Sequence, residues 1–187
     1  LKTFGKLVVV FLVVVFIFAC SSTKGAAPKS TSEIEPEKWN YQRDAIRLVL
    51  NADPQLNAYD GLPHTLYLCL YQLKDPNAFN QLSGDKDGLY LLLSCSVFDA
   101  SVTGFQRLTV QPGQQLSQSF DRAEGSRYVG IAAGYFTLEK ERITRFLKIP
   151  VEIKRRGWLF QKYGVPGELD LKITLGPQQI ENVETVQ

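Results

Sequence analysis

Period-two alternation is the feature that most constrains this chain. In "TLYLCLYQL", Leu66, Leu68 and Leu70 fall on one side, with Tyr67, Cys69, Tyr71 and Leu73 on the other. In "ELDLKITL", Leu169, Leu171, Ile173 and Leu175 alternate with Asp170, Lys172 and Thr174. Successive side chains of a strand point to opposite faces, so such a run can bury one face and wet the other. "AIRLVLNA" repeats the pattern, with Ile46, Leu48 and Leu50 opposite Arg47 and Asn51. The Leu66–Leu73 run is apolar on both faces, which predicts a central strand covered on two sides.

Other segments read the same way. "FQRLTVQPG" ends in a Pro-Gly turn, and "QLSQSF" alternates weakly. "RYVGIAAGYF" places Val129, Ile131, Ala133 and Tyr135 in register, and its small residues predict close packing against a neighbour. "RFLKIPVEIK" reads as one strand with Leu147, Ile149, Val151 and Ile153 inward. Its Pro150 cannot donate a ladder hydrogen bond, which predicts an edge or a bulge. "KDPNAFNQLSGDKDGLYLLLSCSV" is different. Asp75 before Pro76 is a helix opening, an N-cap oxygen followed by a residue whose missing N–H costs nothing there. Phe79 and Leu82 share a face, and a second helical stretch is predicted from Asp87 to Ser94 with Leu89, Leu92 and Leu93 inward. Roughly seven or eight short strands with one-sided alternation predict a mainly β, two-sheet β-sandwich. The short helical insertion after the second strand would cover one face.

The N-terminus imposes a second constraint. Lys2 and Lys6 lead into the apolar run Leu7–Ala19. It is shorter than the roughly 17–25 residues of a spanning helix and fits the core of a secretory signal. Ile17-Phe18-Ala19-Cys20 resembles the bacterial lipobox, in which the cysteine is lipidated and becomes the new N-terminus. The alternatives are a plain signal peptide with a chance cysteine, or an uncleaved short anchor. Ser21, where bacterial lipoproteins retained in the inner membrane carry Asp, points to the outer membrane. Residues 1–19 are thus expected to be a lipoprotein signal peptide. Residues 20–38 are the expected lipidated start and flexible tether, too poor in large apolar side chains to order themselves. A domain at 39–183 and a tail at 184–187 follow. The chain begins with Leu and contains no Met, as a non-ATG start codon or a fragment would give.

Charge excludes one class of partner. The chain holds 21 Lys+Arg and 19 Asp+Glu, two of the lysines being in the leader, so the remainder is balanced and nothing favours nucleic acid. Cys69 and Cys95 are left as a pair once Cys20 is assigned to lipid. In an exported protein such a pair forms a disulfide, worth about 3.5 kcal/mol by loop closure. The alternative is two buried thiols.

The chain offers little chemistry. His64 is the only histidine, which leaves Ser-His-Asp and Cys-His arrangements without support. It is expected to be an ordinary surface residue at a strand entrance. No zinc, P-loop or dinucleotide motif is present. "SGDKDG" lacks the spacing and terminal Glu of a calcium loop and reads as a turn or helix cap. No catalytic residue, metal or cofactor is expected beyond the lipid on Cys20. "KRRGW", Lys154–Trp158, is the densest basic cluster. It reads either as a site for an acidic partner or anionic lipid, or as a solvated turn after an edge strand. Trp158, Phe160 and Tyr163 would then lie on a loop, as core capping or as a partner contact.

The "A-x-x-x-LN…G-x-P…YQL" spacing (Ala52, Leu56, Asn57, Gly61, Pro63, Tyr71, Gln72, Leu73), with "LYQLKD" and "YVGIAAGYF", resembles the TssJ family. These are outer-membrane lipoproteins of type VI secretion systems. The resemblance covers Trp39 to about Ile180. It implies a transthyretin-like sandwich with added helices and no enzyme activity. It implies binding to the periplasmic C-terminal region of the inner-membrane TssM protein within an envelope-spanning complex. The partner-binding element would be the loop Asp53–His64, with Asp53, Pro54, Leu56, Asn57, Tyr59, Asp60 and Leu62 as the site. A different reading from the exposed aromatics, Trp158 and Tyr163, is a periplasm-facing lipoprotein that binds glycan or peptidoglycan.

Overall fold

A computed structural model describes residues 34–158 and 160–186. The expected signal peptide 1–19, Cys20 and the tether as far as Glu33 lie outside the described residues. Ten strands and three short helices follow. The strands are β1 (Gln42–Ala52), β2 (Leu66–Leu73), β3 (Val102–Val110), β4 (Gln115–Arg122), β5 (Tyr128–Ala133), β6 (Thr144–Lys148), β7 (Val151–Arg156), β8 (Gln161–Pro166), β9 (Leu169–Leu175) and β10 (Ile180–Val186). The helices are α1 (Asn77–Leu82), α2 (Lys86–Leu93) and α3 (Lys140–Ile143).

The strands form two four-stranded sheets, ordered β10-β9-β1-β4 and β3-β2-β5-β6, and a separate ribbon β7-β8. β1 pairs parallel with β9 and antiparallel with β4. Ile46 lies beside Leu169, Leu48 beside Leu171 and Leu50 beside Ile173, so the alternating leucines of two distant runs share one buried face. Those residues and Leu66, Leu68, Leu70 and Ile131 of the other sheet belong to one core. The opposite face of β1 and β9 is wet, and there Arg47 bridges Asp170 at 2.6 Å and Glu168 at 2.7 Å.

β2 is the covered central strand that its composition demands. Its second face packs under the helices. The Tyr71 hydroxyl donates to Leu92 O at 2.6 Å, and its ring meets Phe79 of α1 edge-on. Cys69 and Cys95 are joined by a disulfide, with Cα atoms 5.4 Å apart. Tyr67 alone on this face is exposed. The Asp85 carboxylate accepts from Gly88 N at 2.8 Å, so "SGDKDG" caps α2. Asp75 is one residue further out than expected: Pro76 holds the cap position, and the Asp75 carboxylate accepts from Asn77 N at 3.1 Å.

Three expectations are corrected. "RFLKIPVEIK" is two strands, not one. β6 ends at Lys148, Pro150 breaks the ladder, and β7 leaves for the ribbon, so Ile153 is exposed rather than inward. Tyr163, expected on a loop, lies in β8, which pairs with β7 from Val151↔Pro166 to Arg156↔Gln161. The expected tail 184–187 is strand as far as Val186, since β10 pairs along β9. The end of the expected tether also touches the domain: Pro36 bridges Gly164, and Glu35 pairs with Lys148 at 2.7 Å.

Candidate functional site

The connection from β1 to β2 is an ordered structure built by its short polar residues. The Asp53 carboxylate accepts from Gln55 N at 2.6 Å, and its carbonyl accepts from Leu56 N at 2.9 Å and Gly113 N at 3.0 Å. These bonds turn the chain inward and drive Leu56 fully into the core. Asn57 follows with a φ of 50°, a conformation that asparagine tolerates better than most residues. Its amide Nδ2 donates to Thr65 O at 3.4 Å, and its Oδ1 accepts from Phe136 N at 3.0 Å. Ala58 N donates to Pro177 O at 2.7 Å. Three segments far apart in sequence thereby meet at one end of the sandwich.

The loop tip is a miniature hairpin. Tyr59 and Leu62 exchange backbone hydrogen bonds at 2.9 and 3.0 Å across Asp60-Gly61, whose φ values are 50° and 75°. Positive φ at both central residues is the turn for which Asp-Gly is suited. It aims Tyr59 and Leu62 outward, 58% and 63% exposed. Phe136, itself half exposed, stacks on Tyr59 with ring centroids 4.4 Å apart, and His64 meets the Phe136 ring edge-on at 5.1 Å. The result is a preordered apolar platform, Tyr59, Leu62 and Phe136, beside the Asp60 carboxylate and a shallow pocket against Pro177. Pro54 lies exposed at the loop's entrance.

This geometry divides the expected site residues. Tyr59, Asp60, Leu62 and Pro54 face solvent, whereas Leu56 and Asn57 are buried. Leu56 is therefore corrected from contact residue to internal anchor, because its side chain fills core space beneath the tip. Asn57 is corrected likewise, since its amide links the loop to the chain after β5. Asp53 is half buried and spends its oxygens on the turn. Phe136 escaped the sequence reading, which continued the β5 strand through it. β5 stops at Ala133, Tyr135 turns inward to donate to Gln179 O at 2.7 Å, and Phe136 is thrown out. Burial pushes the Tyr135 hydroxyl pKa up, so it is a neutral donor.

His64 is half buried, and its Nδ1 has no hydrogen-bond partner among the described residues. A histidine without an orienting group is not set up as a general base. Among the described residues no cluster of His, Cys, Asp or Glu could hold a metal ion.

Comparison with solved structures places the fold. The lipoprotein TssJ1 of the Pseudomonas aeruginosa type VI secretion system aligns with a TM-score of 0.57 and 24% identity, over 79% of this chain and 97% of that one. Serratia marcescens Lip, a membrane-bound component of the same kind of system, aligns with a TM-score of 0.53 and 24% identity, over 76% and 96%. A chain of a type VI membrane complex aligns with a TM-score of 0.54 and 18% identity, over 78% and 100%. No curated protein matches the chain. Residues 44–178 match the family described as type VI secretion lipoprotein, VasD, EvfM, TssJ. That match runs from β1 through β9 and takes in the helical insertion and the platform. The chain belongs to the type VI secretion lipoprotein family, TssJ, a family of non-enzymatic proteins.

Proposed function

We propose that this protein is the outer-membrane subunit of the type VI membrane complex, lipid-anchored through Cys20. In this reading it faces the periplasm and holds the C-terminal periplasmic domain of the inner-membrane TssM protein. The observation that carries the partner assignment is the Tyr59–Leu62–Phe136 platform. It is apolar, exposed and fixed by backbone hydrogen bonds, so little conformational freedom is lost when a partner covers it. Aromatic anchors in such a position dominate the energy of most interfaces. The lipobox resemblance at Ile17–Cys20, with Ser21 after it, supports the membrane assignment.

The test is calorimetric titration of the purified protein with the periplasmic domain of its partner. Tyr59→Ala combined with Leu62→Ala is expected to weaken binding by at least about 2 kcal/mol, roughly thirtyfold, with an unchanged melting temperature. Leu56→Ala should instead lower stability, because it empties core volume. Unchanged affinity in the Tyr59/Leu62 variant would show that the partner docks elsewhere.

A further inference from the structure

The β7–β8 ribbon belongs to neither sheet. It carries Lys154, Arg155, Arg156 and Lys162, all exposed, and a single carboxylate, Glu152, already 3.6 Å from Lys154. At its tip Trp158 is 86% and Phe160 is 70% exposed, and Ile153 and Tyr163 along its length are also open to solvent. An isolated two-stranded hairpin is marginal in water, and this one presents its largest apolar side chains outward. Indole and phenyl rings interleaved with Lys and Arg are the composition of a surface at the headgroup level of a bilayer.

The place of the ribbon in the fold selects the same partner. Ile34, Glu35 and Pro36 lie on it at Gly164: a Cβ there would come within 2.6 Å of Ile34 O. The first described residue, Ile34, therefore lies at the side of the ribbon. Thirteen residues lie between Cys20 and Ile34, and that length reaches about 50 Å at most. The ribbon follows the end of β6 and precedes the start of β9. In register, Lys148 lies beside Tyr128 and Leu169 beside Ile46, the ends of β5 and β1 remote from Ala133 and Ala52. The ribbon thus sits at the opposite end of the sandwich from the Tyr59 platform.

We propose that the β7–β8 ribbon rests on the membrane that anchors the chain, with Trp158 and Phe160 among the headgroups and its four cations on anionic lipid phosphates. The proposal rests on the reading of Cys20 as the anchor. A ribbon contact supplies the second signal that fixes orientation, which a tethered acyl group does not.

The test uses the full-length lipidated protein on vesicles of phosphatidylethanolamine, alone or mixed with phosphatidylglycerol, with brominated acyl chains as quenchers. Flotation is measured alongside. Trp39 is buried, and a Trp158→Phe variant gives its background emission. Trp158 emission should shift to the blue and be quenched on the mixed vesicles. Both effects should be lost in Arg155→Gln with Arg156→Gln, and in the wild type at high salt, where surface attraction is screened. A protein that floats while Trp158 stays fully reachable by aqueous quenchers overturns the ribbon contact and leaves the anchor intact. A protein that does not float overturns both. Protection of Trp158 by peptidoglycan fragments and not by lipid overturns the proposal in favour of a glycan site.

Discussion

Gln72 shows how single side chains join the two sheets. It is buried on the inner face of β2, where its Nε2 donates to Asp121 O and its Oε1 accepts from Ala123 N, both at 2.8 Å. The sequence placed Gln72 inside a family-like "YQL" but could not say why an amide belongs in a core. Its partners are backbone atoms about fifty positions away, which no spacing rule reaches. Arg122 is similar: nearly fully buried, it donates to Gly167 O at 2.8 Å and lies over the Trp39 ring. Nearby, the Asp121 carboxylate accepts from the Tyr41 hydroxyl and, at 3.0 Å, from Asp44 N. The Tyr41 bond foremost, then the Asp44 bond, hold its pKa below the ordinary carboxylate value. A depressed carboxylate contributes stability above its unfolded pKa, about 4, and loses it as pH falls through the folded value. Urea midpoints measured from neutral pH to strong acid should therefore fall more steeply below about pH 4 in the wild type than in Asp121→Asn. Parallel curves would assign the acid sensitivity to other carboxylates.

At the scale of elements, alternation located β1, β2 and β9 because each carries a run of buried residues at every second position, Ile46 to Leu50, Leu66 to Gln72 and Leu169 to Leu175. It failed where two strands of one chain stretch enter different sheets. Leu147, Ile149, Val151 and Ile153 keep period two across Pro150, yet the chain changes partners there, and alternation carries no mark of which sheet a strand joins. The small residues of β5 were legible as a close approach, and the structure supplies the neighbour. A Cβ on Gly130 would lie 2.6–3.0 Å from the Phe79 ring of α1. The helical insertion therefore seats on the sheet through an absent side chain. Gly130→Ala should cost about 1–3 kcal/mol in chemical denaturation by overpacking. It should also raise amide exchange in α1 before β1. A neutral result would mean that α1 lifts without loss and is not part of the folding unit.

At the scale of the molecule, the sandwich and its helical cover could be read from the chain, and so could the position of the β1–β2 loop. Which loop residues look outward could not, because Leu56 and Leu62 differ only in what the turn at Asp53 does to the backbone. The platform also draws on Phe136, which sequence order separates from Tyr59 by about half of the domain. Cys20→Ser should leave the sandwich folded and able to bind its partner, but recovered from the soluble periplasmic fraction and inactive in secretion. Full secretion by that variant would mean that the anchor is dispensable.

One strand runs from the side of the ribbon to the loop of the platform. β1 begins just after the segment that lies on the ribbon and ends at the loop that carries Tyr59. Its 11 residues span about 35 Å. It is flanked on both sides, by β4 and by β9. Tension between a membrane anchor and a partner drawn the other way would run lengthwise through this strand. Two ladders of hydrogen bonds, both running from Ile46 toward the end of the strand, would then be loaded in shear together, whereas an edge strand pulled from one end peels one bond at a time. In the proposed arrangement the load would fall on a strand that has a paired neighbour on each side.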